Sequence, residues 1–334
     1  MEDRIARYLS HRMPQARDVA VHDLARIAGG SSQETFRFRA VWREGVETVE
    51  RALILRRAPV AGTVVVQQDL EFNVYAALAG RGVPVPHAHF LELDPQWLDR
   101  SFFIMDLCPG KPGSFSDADP YPGIDAEIAR QFWRHLGTLA AIDHRAIGLD
   151  HLRNGAATGR FWARELDHWE AILDEGELYV EPIVRGAIRW MRANPPPEPS
   201  KPAITHGDYR SGNFLFMPDG RISAILDWEM CHISDPLEDI AWALDPLWSM
   251  ARHLPEAESL AIWEEASEMT VDREALDWWR LFAPVKGCGI WTTAEASIAE
   301  GRSGEMIVLG AAVLAGRVHR NAVLTRMIER GAGR

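Results

Sequence analysis

Apolar and polar residues alternate along two neighbouring segments near the start of the chain. The first runs from Thr35 to Trp42 and the second from Val49 to Arg57, with Glu44-Gly45 between them. A period of two is typical of strands that bury one face, so these segments predict an antiparallel hairpin. Spacing also predicts a short helix and the approach to a strand within 1–26, a helix over 66–79, and strands over 85–93 and 101–107.

Helical periodicity dominates after the proline- and glycine-rich stretch from Pro109 to Gly113. We therefore predict an N-terminal lobe over 1–107 and a C-terminal lobe over 108–334. One β-hairpin interrupts the helices, because two apolar runs, 214–217 and 221–227, flank the turn-forming Pro218-Asp219-Gly220. The predicted helices cover 125–144, 159–173, 178–193 and several segments between 236 and 330.

Polar residues gather at the open end of this hairpin. In a regular register Asn213 lies opposite about position 225, Asp227 follows the second strand, and Asp208 enters at the same end. Each of them alone fits a local turn hydrogen bond. Together they form H-G-D-x-x-x-x-N, which arises by chance in such a chain with a probability of roughly 0.002. Few, hard oxygen ligands of this kind suit magnesium that also holds phosphates.

Composition excludes several classes of protein. With 334 residues, 47% of them hydrophobic and 25% charged, the chain resembles an ordinary globular enzyme. A net charge of -12 argues against non-specific nucleic-acid binding. Three widely spaced cysteines form neither a zinc motif nor a disulfide framework, which suits a reducing compartment. Because residues 1–9 lack a signal-peptide core and the longest apolar run, 306–315, is too short for a bilayer, we expect a cytoplasmic protein without membrane contact.

Three motifs resemble the aminoglycoside phosphotransferase family, a branch of the protein-kinase-like fold. They are His206 to Asn213, Ile225 to Glu229 and Ser234 to Trp242. The resemblance is strongest to the group related to the kinase-like domains fused to some acyl-CoA dehydrogenases. It implies an α+β, bilobal fold with an N-terminal antiparallel sheet lobe that carries one main helix and binds nucleotide. The larger, mainly helical C-terminal lobe would be catalytic and bind substrate.

The resemblance also implies roles for residues in the C-terminal motifs. Asp208 matches the catalytic aspartate, which accepts the substrate hydroxyl proton or orients the attacking oxygen. Asn213 and Asp227 match the ligands of Mg²⁺. His206 and Asp239 match residues that support the loop rather than react.

The N-terminal lobe departs from the family pattern at one position. Arg56 stands where the family usually carries a phosphate-binding lysine, with Glu71 as its ion-pair partner, and Arg57 is a competing assignment. A Gly-Gly-Ser-Ser turn lies where a phosphate-covering loop is expected, although such a turn alone is unremarkable. The nucleotide-binding residues implied here are Gly30, Ser31, Ser32, Arg56, Glu71 and, at the hinge facing the purine, Asp106 and Leu107.

The predicted function is an ATP- or GTP-dependent kinase that transfers the γ-phosphate to a hydroxyl of an aminoglycoside-like or other hydroxylated small molecule. A protein substrate fits less well, because the segment Met230 to Ser234 is short for a docking platform. A non-catalytic, nucleotide-binding pseudokinase or scaffold is the alternative, favoured by the loss of the lysine. Most of the thirteen tryptophans are expected in the core, while Trp278 or Trp291 remains a candidate for the substrate cleft. The acceptor and the oligomeric state stay open.

Overall fold

The computed structural model describes residues 1–27, 33–59, 68–114, 117, 119–153, 159–248, 250–301 and 306–332. The chain divides into two units, Met1–Gly110 with Ser223–Glu229, and Lys111–Ile222 with Met230–Arg334. The predicted division into 1–107 and 108–334 differs from this one mainly in the segment Ser223–Glu229, which groups with the first unit.

A five-stranded antiparallel sheet forms the first unit, in the order β1-β2-β3-β5-β4. The predicted hairpin is confirmed, since β2 and β3 pair without interruption from Glu34 opposite Arg57 to Glu44 opposite Glu47. The predicted helix and the two later strands are confirmed as well. The elements are α1 (Glu2–Arg12), β1 (Arg17–Ile27), β2 (Glu34–Glu44), β3 (Glu47–Arg57), α2 (Gln68–Leu78), β4 (Ala88–Glu92) and β5 (Phe102–Asp106).

The first strand is longer than its sequence pattern indicates. β1 spans eleven residues, but its register with β2 shifts at two points. Asp18 and Asp23 have left-handed backbones, with φ of 53° and 59°. Such irregularities break the alternation that marks a strand, and they are common on edge strands. For this reason only the approach to a strand was predicted.

The segment Ser223–Glu229 joins the first unit through main-chain hydrogen bonds. The N–H of Ile225 donates to the carbonyl of Pro84 at 2.7 Å. The N–H of Asp227 donates to the hydroxyl of Tyr75 at 3.1 Å, on the buried face of α2. These bonds explain why seven residues so late in the sequence belong with the N-terminal sheet.

Helices make up most of the second unit, and together with the sheet of the first they confirm the predicted α+β class. The helix α8 packs against α4, α5, α6 and α9, so it runs through the middle of this unit. Trp133, Trp242, Trp263 and Trp279 are fully buried there. The helices are α3 (Asp125–Ala141), α4 (Phe161–Gly176), α5 (Pro182–Ala193), α6 (Leu237–Ala243), α7 (Glu256–Ser267), α8 (Arg273–Ala299) and α9 (Met306–Ala332).

Short strands frame the loop that carries the sequence motif. β7 pairs with β10, which was not predicted, in an antiparallel ladder from Ala203 opposite Ser234 to Thr205 opposite His232. The predicted turn is closed by a 2.9 Å bond from the N–H of Met217 to the carbonyl of Arg221, in the expected register. The strands are β6 (Lys111–Pro112), β7 (Ala203–Thr205), β8 (Phe214–Phe216), β9 (Ile222–Ile225) and β10 (His232–Ser234).

Among the described residues, no helix combines the length and the apolar character needed to cross a membrane.

Candidate active site

The loop between β7 and β8 is held from below by a buried carboxylate. Asp239, on α6, accepts the N–H of His206 at 2.6 Å and the N–H of Gly207 at 3.0 Å. Burial raises the pKa of Asp239 to about 6, the charge of Glu238 raises it further, and the two N–H donors counter part of the rise. The sequence resemblance assigned Asp239 to loop support, and these bonds are of the kind that such a role needs.

Gly207 occupies a position that only glycine fills without strain. Its φ is +83°, and a Cβ added there would lie 2.4 Å from the carbonyl oxygen of Met230. A left-handed backbone costs other residues energy, and this close approach excludes a side chain as well. The glycine therefore lets the chain turn tightly into Asp208. His206 is fully buried, and its Nδ1 accepts the main-chain N–H of Asp208 at 3.2 Å.

Three N–H groups hold the carboxylate of Asp208. Trp242 Nε1 donates to Oδ1 at 2.8 Å, and Asn213 Nδ2 donates to Oδ2 at 2.7 Å. The Nε of Arg210 lies 2.9 Å and 3.0 Å from the two oxygens. A carboxylate has about four acceptor positions, so room remains for one further donor such as a substrate hydroxyl.

Asn213 is oriented by the same carboxylate group. Its Nδ2 also donates to the main-chain carbonyl of Asp208 at 2.9 Å. The amide nitrogen is thus fully used, whereas Oδ1 has no hydrogen bond to any residue that the structure describes. A free amide oxygen on a side chain fixed in this way fits a ligand for a hard cation.

In the first unit, Arg56 forms the central cation of a second cluster. Its Nη1 lies 3.1 Å from Glu71 Oε1 and its Nη2 lies 3.1 Å from Asp227 Oδ1. Arg57 instead pairs with Glu34 at 2.7 Å, so Arg56 is the residue that meets Glu71. The guanidinium fork suits a bridge between two carboxylates, which a single ammonium group makes less well.

The ion pairs offset a strong effect of burial. Burial lowers the pKa of Arg56, but Glu71 and Asp227 outweigh it and raise the pKa above its usual value. Burial also raises the pKa of Glu71, which Arg56 counters. Glu71 is fully buried and further held by Gln33, whose Nε2 donates to Oε2 at 2.9 Å. A charge buried so deeply needs its partner.

Asp227 has a backbone conformation that is rare for residues other than glycine, with φ of +71°. Such conformations store strain, and they cluster at functional sites. Its Oδ1 faces Arg56, while Oδ2 forms no hydrogen bond within the described part of the chain. Like Asn213, this residue therefore offers an oxygen that fits a magnesium ligand.

The other predicted nucleotide residues divide into two groups. At the hinge, the main-chain N–H of Asp106 donates to His87 at 3.0 Å and that of Leu107 to Ala52 at 3.1 Å, so both donors are used within the sheet. The side chain of Asp106 accepts from His89 Nε2 at 2.6 Å. Gly30, Ser31 and Ser32 lie outside the described residues.

Motif reasoning missed the residues that contact the loop from distant parts of the chain. Trp242 and Arg210 were inside or beside recognised motifs, but nothing in their spacing indicated a bond to Asp208. His232 belongs to a buried cluster with Glu165 at 3.4 Å and Glu238 at 3.0 Å. Trp278, a candidate for the substrate cleft, is instead buried and donates to Met191 at 3.2 Å.

Solved structures with the same fold are phosphotransferases by name. A candidate aminoglycoside phosphotransferase from Ralstonia eutropha JMP134 has a TM-score of 0.75 at 20% identity, covering 96% of this chain and 98% of that one. A thermostable mutant of the aminoglycoside phosphotransferase APH(4)-Ia, in ternary complex with ADP and hygromycin B, has a TM-score of 0.60 at 18% identity, covering 96% and 97%. At such identity the likeness shows the kinase-like fold alone.

Sequence comparison leads to the same group. Acyl-CoA dehydrogenase family member 10 of Mus musculus is 27% identical over 221 residues, which are 64% of this chain but 19% of the mouse protein. The matched region thus spans about a fifth of that relative's length. A family model described as the phosphotransferase enzyme family matches residues 23–279, well over half of the chain. The chain belongs to this phosphotransferase enzyme family.

Proposed function

We propose that the protein is a kinase that transfers the γ-phosphate of ATP, or of GTP, to a hydroxyl of a small molecule. The observation that carries the proposal is the state of the Asp208 carboxylate. Three N–H groups fix its orientation, and one acceptor position remains for the hydroxyl that is to react. A fixed carboxylate next to an open acceptor position is the arrangement that a general base requires.

In the proposed reaction the acceptor oxygen forms a bond to the γ-phosphorus while the bond to the β-phosphate oxygen breaks. The hydroxyl proton passes to Asp208, and the nucleoside diphosphate leaves. Asn213 Oδ1 and Asp227 Oδ2 would hold Mg²⁺. When bound, this ion neutralises the phosphate charge that grows in the transition state. Arg56 would face the phosphates in place of the usual lysine.

The fold neighbours support a nucleotide co-substrate, because the APH(4)-Ia complex contains ADP. They do not transfer an acceptor to this chain, since similar folds serve different substrates. We propose a hydroxylated small molecule, which includes aminoglycoside-like compounds and hydroxyacyl derivatives. A net charge of -12 disfavours nucleic acid as a partner, and the three free cysteines suit the reducing cytoplasm.

The test is transfer of labelled γ-phosphate from ATP and from GTP to a panel of alcohols, amino sugars and hydroxy acids, with Mg²⁺ and with EDTA. We expect label in at least one hydroxyl compound, or in water as a slow default acceptor, only when Mg²⁺ is present. Magnesium-dependent nucleotide binding without any transfer would favour the non-catalytic sensor instead. The arginine at position 56 is the observation on its side.

A further inference from the structure

A single lysine lies buried beside the catalytic loop. The chain has only three lysines, at positions 111, 201 and 286, among its 36 basic residues. Lys286, on α8, has 1% of its side chain exposed. Lysine is almost never fully buried without a partner, because removing the ammonium group from water costs much energy. The contacts of Lys286 should therefore reveal what it does.

The ammonium group of Lys286 contacts the loop directly. Its Nζ donates to the carbonyl of Gly207 at 2.6 Å and to Glu238 Oε1 at 3.0 Å. It also lies over the rings of Trp169 and Trp242, 5.7 Å and 5.2 Å from their centroids. Cation–π contacts of this kind gain strength when the charge is removed from water.

These contacts fix Asp208 along two routes. The peptide groups before it are held on one side by Asp239, which accepts the N–H of Gly207, and on the other by Lys286, which donates to its carbonyl. The ring that Lys286 packs against belongs to Trp242, whose Nε1 donates to the Asp208 carboxylate. One ammonium group thus restrains both the main chain leading to Asp208 and the side chain that orients it.

We propose that Lys286 is a positioning residue for Asp208, acting through the Gly207 carbonyl and the Trp242 indole. The inference rests on the proposed function insofar as it concerns rate. The placement of the loop is a structural statement that can be tested without any reaction.

Two simpler explanations of this lysine leave observations unexplained. A charge-balancing ion pair with Glu238 accounts for neither the 2.6 Å bond to Gly207 nor the contact with Trp242. A metal site formed by Glu165, His232 and Glu238 does not fit either, because Lys286 and an imidazolium already neutralise these carboxylates. Both nitrogens of His232 face acceptors, the carbonyl of Met230 and Glu238, so both carry protons.

The experiment compares two substitutions that break the same ion pair. Lys286→Met removes the bond to Gly207 together with the pair, whereas Glu238→Gln removes the pair but keeps Lys286 and its bond. The double variant Lys286→Met/Glu238→Gln avoids an uncompensated buried carboxylate and covers the case in which the single lysine variant folds poorly. Lys201→Met, in an exposed loop, is the matched control. The readouts are MgATP hydrolysis, melting temperature and amide hydrogen exchange of the 206–210 segment.

We expect Lys286→Met and the double variant to lose about 100-fold in kcat, because a displacement near 1 Å has that effect, with the KM for MgATP within a few-fold. Their loop amides should exchange faster than in the wild type. Glu238→Gln should lose stability but far less kcat, and Lys201→Met should behave as wild type. Equal kcat losses in Lys286→Met and Glu238→Gln, or unchanged exchange in the double variant, would overturn the proposal. A wild type that never hydrolyses MgATP contradicts the proposed function, and the exchange data then still decide the role of Lys286.

Discussion

Deprotonating His232 should measurably weaken the fold. The imidazole lies between Glu165 and Glu238, with Lys286 as the nearest other charge, and its Nδ1 faces the Met230 carbonyl at 2.8 Å. Burial lowers the pKa of His232, but the two carboxylates outweigh burial and raise the pKa from 6.5 to about 9. The charged form is therefore the one that the folded protein stabilises.

The size of the effect follows from the two pKa values. A difference of about 2.5 units corresponds to about 3 kcal/mol, since each unit is worth about 1.4 kcal/mol. Because the folded-state pKa is raised, this stabilisation is complete below about pH 6.5. It is lost as the pH rises from there through about 9, where the folded protein also releases the proton.

Urea unfolding of the wild type and of His232→Gln, at pH values from 6 to 10, isolates this contribution. Other groups that titrate in this range are shared by both proteins and cancel in the difference. We expect the wild type to exceed the variant by about 3 kcal/mol more at pH 6 than at pH 10. A gap that stays constant across this range would show that His232 is neutral in the folded protein, and would refute the charge assignment of the cluster.

Two further substitutions test the geometry of each unit. Gly207→Ala should cost about 3 kcal/mol, from its left-handed backbone and from the overlap with the carbonyl of Met230, whereas Gly45→Ala, in open space at a similar φ, should cost only about 1 kcal/mol in urea unfolding. Arg56→Met should lose about 3–5 kcal/mol at pH 8, because Glu71 is left buried and unpaired. Since burial raises the pKa of Glu71, that loss should shrink as the pH falls towards 5 and the carboxyl becomes neutral. Arg56→Lys, which keeps the charge, should lose less than half as much, and equal losses would contradict the ion-pair account.

Local pattern was sufficient for the elements that bury one face. The alternation over 35–42 and 49–57 predicted β2 and β3, and the Pro-Asp-Gly turn predicted the register of the later hairpin. The first strand was underpredicted because its shifts of register with β2 remove the alternation. The three-residue strand β10 was missed, since it is too short to show any period and exists because it pairs with β7.

Prediction of the candidate site followed the same limit. Asp208 and Asn213 are five residues apart in one loop, so a linear motif shows both. The contacts made by Trp242 and Lys286 depend on how α6 and α8 pack, which no spacing within a segment encodes. The only signal for Lys286 was an isolated lysine in the otherwise apolar stretch 281–290 of a chain that otherwise uses arginine. Similarly, spacing could not decide between Arg56 and Arg57, whereas the strand pairing sends only Arg56 towards Glu71.

The most direct test of the central claim is the rate of γ-phosphate transfer by Asp208→Asn compared with wild type, at saturating MgATP. This substitution keeps the size of the side chain and removes the base. We predict a rate lower by about 10²–10⁴-fold, with the KM for MgATP within a few-fold, because Asp208 acts on the acceptor proton rather than on nucleotide binding. A variant that transfers phosphate as fast as the wild type would contradict the assignment of Asp208, and with it the proposed kinase mechanism.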